Sequence, residues 1–285
     1  MKHPHVWFVT GASKGLGLAL TQKLLAEGCR VAATSRNPDA LMTAVGTRET
    51  DRFLPLQVNL AHEREVEAAI TSVIAKFGHI DVVVNNAGYG LQGTFESLTD
   101  QEIRDHFDIN VFSIMNVLRH AIPHLRKAGQ GHIFNMSSIG GFAGGYTGWG
   151  SYSATKFAVS GLTEALAAEM KPFGVSATVV YPGAFRTSFL TERSLAVSPN
   201  PILAYTEAQA SIDRYREMSG KQQGDPVKAA EVLMQVASTS TPPLHLFLGP
   251  DAYKAANEKI KHVLRDLDGN KHLTLSTSFQ VNRGD

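Results

Sequence analysis

The sequence is short of cysteine, of charge of one sign and of long apolar runs, and each shortage removes a class of protein. A single cysteine, Cys29, in 285 residues excludes an internal disulfide and any cysteine-built zinc cluster. It stands between Gly28 and Arg30 at the head of an apolar run, where a small buried hydrophobe is expected. Lys plus Arg number 27 and Asp plus Glu 26, and a net charge of +1 offers no footprint for nucleic acid and no polybasic membrane anchor. No stretch approaches the ~18 apolar residues that a membrane span needs. Residues 1–5 lead into only five mostly apolar positions, 6–10, too few for a secretory signal. A strand at the start of a cytoplasmic protein is expected instead. With 43% hydrophobic and 19% charged residues, the chain is globular and not disordered.

What is present is alternation. Short β-rich runs recur at 6–10, 30–35, 53–58, 80–85, 132–137, 175–181 and 244–248, with helical patterns between most of them. The plainest helix is 61–77, where Val66, Ala69, Ile70, Val73, Ile74 and Phe77 oppose Glu63, Arg64, Glu65 and Glu67. The runs 81–85 and 177–181 are nearly continuous in apolar residues, as parallel strands covered on both faces are. The pattern predicts an α/β fold: a doubly wound, mainly parallel seven-stranded sheet with helices on both faces, Rossmann-like, in a single domain over 1–285. Residues 187–224 depart from it, carrying Phe189, Leu190, Leu195, Ile202, Leu203 and Tyr205 among Ser, Pro and Asn. An insertion of that length at a strand's carboxyl end reads as a substrate lid, about 184–224. Beyond it, a last helix at 251–267 and a polar tail from Asp268 are expected within a C-terminal extension of about 250–285.

The first strand ends in Thr10-Gly11-Ala12-Ser13-Lys14-Gly15-Leu16-Gly17, followed by the helical pattern 18–27. Glycines at 11, 15 and 17 let the backbone turn sharply and approach a ligand, and the helix behind them offers free N–H groups and a positive dipole end to a pyrophosphate. The spacing is G-x-x-x-G-x-G, unlike the common G-x-G-x-x-G, and no Gly-Lys-Ser/Thr makes it a P-loop. Its place between the first strand and first helix points to dinucleotide binding. The second strand ends in Ser35-Arg36 where a carboxylate would select NAD(H). A hydroxyl and two cations, Arg36 and Lys14, match a 2′-phosphate, so NADP(H) is the expected cofactor.

Tyr152-Ser153-Ala154-Thr155-Lys156 opens a helical pattern running to Met170. Positions i and i+4 share a helix face, and the ammonium is expected to lower the phenol's pKa toward the range of a general acid/base. Fourteen residues earlier a strand ends in Asn135-Met136-Ser137-Ser138, with a Gly-rich segment between. A strand-end hydroxyl beside a helix-start phenol supplies a carbonyl substrate with one donor to orient it and one acid to protonate it. Asn85-Asn86-Ala87-Gly88 closes the fourth strand, and Asn110 lies in the helical pattern after it.

Together, the residues from Thr10 to Gly17, Asn86-Ala87-Gly88, Asn110, Ser138, Tyr152-x-x-x-Lys156 and Pro182-Gly183 resemble the motif set of the short-chain dehydrogenase/reductase family, in its single-domain branch, across residues 6–248. The resemblance implies that Tyr152 is the acid/base, that Lys156 binds the nicotinamide ribose and depresses the phenol's pKa, that Ser138 orients the carbonyl and that Asn110 holds a relay water. It implies cofactor contacts from Gly11, Ser13, Lys14, Gly15, Leu16 and Gly17, from Ser35 and Arg36, from Asn59 and Leu60, from Asn86, Ala87 and Gly88, from Tyr152 and Lys156, and from Pro182, Gly183 and Thr187. No metal takes part. Two departures stand out: Asn59 replaces the family's usual Asp, and the segment from Ser138 to Tyr152 is one residue longer, which leaves Ser137 as an alternative catalytic serine.

The reading is an NADP(H)-dependent oxidoreductase that interconverts a partly apolar ketone or aldehyde and an alcohol by hydride transfer, working as a carbonyl reductase. A steroid- or retinoid-type dehydrogenase is the runner-up, and a non-catalytic NADPH-binding scaffold is the rival of another class. The long helices around 110–125 and 152–170 resemble those of the family's oligomer interface, implying a homodimer or homotetramer, and the extension after Gly249 is left open as a second interface. His120-x-x-x-His124 has metal-site spacing but no neighbouring Glu and a proline inside it, so surface or packing histidines are expected. Arg214, Arg216 and Lys221 read as a solvated face of the lid.

Overall fold

The computed structural model describes residues 6–192 and 194–279. Residues 1–5, 193 and 280–285 lie outside it, and with them the expectations for the opening residues and the last part of the tail. In chain order the elements are β1 (Val6–Val9), α1 (Gly15–Ala26), β2 (Arg30–Ser35), α2 (Pro38–Val45), β3 (Phe53–Gln57), α3 (Glu63–Phe77), β4 (Val82–Asn85), β5 (Gly90–Gln92) and α4 (Asp100–Phe107). A π-helical turn (Asp108–Phe112) leads to α5 (Ser113–Ala128), β6 (Gly131–Met136), α6 (Gly150–Met170), β7 (Val175–Pro182), β8 (Leu195–Val197), α7 (Thr206–Met218), α8 (Pro226–Ala237), β9 (His245–Leu248), α9 (Pro250–Gly269) and α10 (Lys271–Leu275). Seven strands form one parallel sheet in the order β3-β2-β1-β4-β6-β7-β9.

Period-two alternation in the strands builds a core on each face of the sheet. Val6 and Phe8 point to one side, where α3, α5 and α6 supply Val66, Ile70, Val117 and Val159. Trp7 and Val9 point to the other, where α1, α2 and α8 supply Leu20, Leu24, Leu41 and Leu233. Fully buried side chains such as Phe8, Phe53 and Phe134 contribute about 1.5–3 kcal/mol each over exposure. Local chemistry starts the helices. Asn37 accepts the Ala40 N–H ahead of Pro38, Thr99 and Glu102 form a capping box on α4, and Asp225 caps α8 ahead of Pro226. Cys29 is buried as expected.

The chain winds from β1 outward through β2 and β3, then returns to the other side of β1 for β4, β6, β7 and β9. At this reversal the carboxyl ends of β1 and β4 lie side by side, and the loops that leave them diverge to open a crevice. Apart from Asn110, which lies in the π turn between α4 and α5, the residues the sequence marked as chemical leave a strand at this end of the sheet or lie in the first turns of the helix after it.

The structure sharpens the sequence expectations at three places. The helix expected around 110–125 is broken at its start by the π turn, so α5 begins only at Ser113. Within the lid segment, β8 pairs in parallel with β5, α7 follows, and a bridge between Phe185 and Gly224 ties the two ends together. Asp268 does not open a tail, because α9 continues through it to Gly269 and α10 follows. No described helix is long and apolar enough to cross a membrane.

Candidate active site

The turns after β1 and β4 are stitched to one another. The backbone N–H groups of Asn86 and Ala87 donate to the Thr10 hydroxyl at 3.0 and 3.1 Å. The Asn86 side-chain amide donates to the carbonyls of Thr10 at 2.9 Å and Gly11 at 3.1 Å. This closeness requires glycine. A Cβ on Gly11, at φ +66°, would stand 2.8 Å from Ala87 Cα, and a Cβ on Gly17 would fall on the Asn86 amide nitrogen. At the head of α1 no side chain caps the helix and the first turn holds no carboxylate, so the positive end of the helix faces an outside acceptor.

A cavity of about 440 Å³ reaches from this loop to the start of α6. Gly11, Lys14, Gly15 and Leu16 line it from the glycine loop, and Asn86, Ala87 and Gly88 from the turn after β4. Ser138, Tyr152 and Lys156 line it as well, with Pro182, Gly183 and Thr187 from the end of β7. A close-packed glycine cradle, the positive end of a helix and a phenol–ammonium pair on one cavity fit a nicotinamide dinucleotide.

Ser13, Gly17, Ser35, Arg36, Asn59, Leu60 and Asn110 do not line this cavity. Gly17 lies against Asn86, and Leu60 packs in the core. The Asn59 side-chain oxygen accepts the Ala61 N–H at 3.2 Å, and its nitrogen lies 3.3 Å from His62 at the start of α3. The Ser35 hydroxyl accepts the Asn37 N–H at 3.1 Å. Arg36 is exposed, and no ion pair or side-chain hydrogen bond among the described residues holds it.

Tyr152 sits in the first turn of α6, almost wholly buried, with the Ser138 hydroxyl near enough to its phenol to favour the phenolate. Ser138 in turn accepts the Gly140 N–H at 3.1 Å. Ser137 is turned away: its hydroxyl donates to the Lys156 carbonyl at 2.8 Å and lies 3.3 Å from the Ser160 hydroxyl, holding α6 to β6. Of the two serines, Ser138 is therefore the phenol's partner. The Lys156 ammonium donates to the Met136 carbonyl at 2.9 Å and stands 5.8 Å from the centre of the Tyr152 ring.

The electrostatics reverse one expectation. Burial pushes the phenol up to about 12, with the nearby Ser138 hydroxyl opposing it, and burial pushes Lys156 down to about 8. The ammonium does not hold Tyr152 below its ordinary value. Taking both groups out of water disfavours both charged forms, and at 5.8 Å, with one N–H committed to Met136, the cation does not offset that cost. The phenol is protonated at neutral pH.

Asn110 lies one step behind this pair, in the π turn. Its side-chain oxygen accepts the Tyr89 N–H at 3.0 Å, and its nitrogen lies 3.0 Å from the Tyr89 carbonyl, 2.8 Å from His106 Nε2 and 3.1 Å from the Thr155 hydroxyl. Thr155 passes the chain on by donating to the Tyr152 carbonyl at 2.8 Å. The Asn110 amide is thus committed to protein groups. Burial pushes His106 down to about 4, so this network is neutral near pH 7.

Several wall residues were not singled out in the sequence. Trp149 meets Tyr152 and Tyr215 edge-on, with ring centres 5.3 and 4.7 Å apart, and Tyr215 and Met218 reach the cavity from α7. The helical spacing of Ala208, Ile212 and Tyr215 was a readable signal of that inward face. Asp251, in the first turn of α9, lines the cavity and accepts the Ala184 N–H at 2.7 Å. No local pattern marks it, because its partner is 67 positions away. His120 lies 3.3 Å from Glu63, which also pairs with Arg119 at 2.7 Å. Among the described residues no group of three or more His, Cys, Asp or Glu could hold a metal ion.

The family model described as short chain dehydrogenase matches residues 5–197. Oxidoreductase BOA17 of Botryotinia fuckeliana is 35% identical over 254 residues, covering 89% of this chain and 92% of its own. A 3-ketodihydrosphingosine reductase of Bacteroides thetaiotaomicron is 32% identical over 248 residues, with 87% and 88% covered. A crystal structure of a short-chain dehydrogenase from Streptomyces avermitilis superposes with a TM-score of 0.88 at 34% identity, over 96% of this chain and 100% of its own. Profile, relatives and sheet topology agree, and the chain belongs to the short-chain dehydrogenase/reductase family of oxidoreductases.

Proposed function

We propose that the protein is an NADP(H)-dependent reductase that converts a partly apolar ketone or aldehyde into an alcohol. The observation that carries this reading is the buried Tyr152 phenol beside Ser138 and Lys156, on the cavity that the glycine loop also lines. A protonated phenol is the form that reduction consumes. When bound, the reduced nicotinamide supplies a hydride to the carbonyl carbon. The Ser138 hydroxyl and the Tyr152 phenol donate to the carbonyl oxygen, and the phenol's proton goes to that oxygen as it gains charge. Lys156 stabilises the phenolate left behind, which is reprotonated from solvent.

The preference for the phosphorylated cofactor rests on the exposed, uncommitted Arg36 beyond Ser35, where no carboxylate stands to repel a 2′-phosphate. The apolar share of the substrate rests on Phe189, Leu190, Trp149, Tyr215 and Met218 along the cavity, with 184–224 acting as the lid. The Bacteroides relative named for a sphingoid ketone agrees with that class. Phe112 and Met115 near the start of α5, and Phe157 on α6, are exposed apolar side chains that suit a homo-oligomer.

The test is NADPH oxidation against ketones and aldehydes graded in size, beside Tyr152→Phe and Arg36→Ala. Tyr152→Phe is expected to lower kcat by ~10²–10⁴ while NADPH still binds. Arg36→Ala is expected to raise the KM for NADPH on the order of tenfold and leave that for NADH unchanged. Turnover surviving in the Phe variant defeats the mechanism, and an unchanged cofactor preference defeats the NADP(H) assignment.

A further inference from the structure

Helix α9 begins on the body of the protein and ends off it. Ala252 and Ala256 are buried and Asp251 is bonded to Ala184. From Glu258 onward every described residue through Phe279 is exposed. The stretch 258–269 spans about 18 Å at ~1.5 Å per residue. A helix of this length without packing is marginal in water.

The stripe that seats the helix continues past the edge of the body. Ala256, Ile260, Val263, Leu264 and Leu267 share one face at helical spacing, and the last four are 47, 41, 53 and 54% exposed. Lys259 and Asp266 lie along one edge of this stripe, and Lys261 and Asp268 along the other. Each edge is basic toward the start of the helix and acidic toward its end.

That polarity selects the partner. Two such helices packed antiparallel, with a twofold axis between positions 263 and 264, set Ile260 against Leu267 of the partner subunit and Val263 against Leu264 of the partner subunit. On one edge Lys259 then flanks the partner's Asp266, and on the other Lys261 flanks the partner's Asp268. A parallel pair exchanges the edges and sets lysine beside lysine and aspartate beside aspartate, which repel. A surface complementary to itself only under a twofold fits a second copy of this chain. We propose that α9 is a self-association helix that pairs antiparallel with the α9 of another copy, covering the stripe from Ile260 to Leu267.

Cross-linking and sedimentation of the full chain test this. In Val263→Cys the new thiols meet near the axis, and the remaining thiol, Cys29, is buried, so mild oxidation is expected to give a covalent dimer. Tyr253→Cys lies on the same side of the helix but its thiols stand about 30 Å apart in the antiparallel pair, and no dimer is expected. Lys259→Asp with Lys261→Asp is expected to weaken one association step about tenfold or more, and adding Asp266→Lys and Asp268→Lys to restore it. All four charged positions are exposed, so folding is not at stake. Failure of Val263→Cys to cross-link, equal cross-linking of Tyr253→Cys, or charge variants that change nothing would each overturn the proposal.

Discussion

Acidification from pH 7.5 to 5 is expected to remove about 4 kcal/mol of folding stability, and two buried histidines carry the loss. His132 on β6 is 3% exposed, stacks on Phe134 at 4.0 Å between ring centres, and has Nε2 2.9 Å from the Thr178 hydroxyl oxygen. Thr178 sends its own proton to the Pro243 carbonyl at 2.6 Å, so His132 Nε2 is the donor. His106 is 0% exposed, with Nδ1 3.0 Å from the Ser151 hydroxyl and Nε2 3.0 Å from the Tyr89 carbonyl. Burial pushes His132 down to about 3 and His106 down to about 4. Above pH ~6.5 both rings are neutral in the folded and unfolded chain and cost nothing. Below it the unfolded chain takes up protons that the folded chain refuses, so stability falls as pH drops from 6.5 toward the two folded values. At pH 5 the loss is about 2 kcal/mol per histidine, and the pair removes a large share of the ~5–15 kcal/mol that typical domains possess.

Urea unfolding at a series of pH values, followed by the emission of the buried Trp7 and Trp149, measures this directly. His132→Gln keeps an N–H for Thr178 and removes one titration. It is expected to be weaker at every pH but to lose only about 2 kcal/mol across the same interval. Glu63 and Glu65 are held below the ordinary 4.5 by Arg119 and by the Asn59 N–H respectively, so they act below this window. A stability that stays flat between pH 7.5 and 5, or a Gln variant that keeps the full drop, refutes the account.

Two further predictions concern the site. Gly17→Ala forces a Cβ onto the Asn86 amide and 2.7 Å from the Gly11 carbonyl oxygen, so NADPH affinity measured by fluorescence titration is expected to fall about 10- to 100-fold, with ~1–3 kcal/mol of stability. Gly161→Ala in α6, with open space around it, is the control and should be neutral or slightly stabilising. Ser138→Ala should lower kcat by ~10–10³ with only the modest Tm loss of its Gly140 N–H bond, whereas Ser137→Ala should lower Tm and spare most of kcat, because its bonds go to Lys156 and Ser160. The opposite pattern in thermal melts and steady-state rates would exchange the two serines.

The strands were legible because their residues face a core on both sides: Trp7 and Phe8 cannot both be buried in a chain that is polar on one face. The glycine loop and the pair Tyr152–Lys156 were legible because their spacing is local. What escaped the sequence is set by distant partners. The pairing of β5 with β8 joins segments a hundred positions apart, and Asp251 finds its role only against Ala184. The state of Tyr152 escaped for a different reason. A neighbouring lysine can be read from spacing, but the depth to which both groups are buried cannot, and depth decides the sign.

The π turn at Asp108–Phe112 makes chain length an angular setting. Each residue of an α-helix advances the chain by about 100°, so the wider turn offsets the phase of α4 against that of α5, much as a spare tooth offsets two gears. Asn110 reaches Tyr89 and Thr155 from within that offset, and His106 reaches Ser151 from just before it. Side chains facing solvent there, such as Asp108, are free to vary in kind, but the number of residues is not. Loss of one residue between 107 and 113 would turn α4 against α5 by about 100°, so His106 and Asn110 could not both keep their contacts with α6.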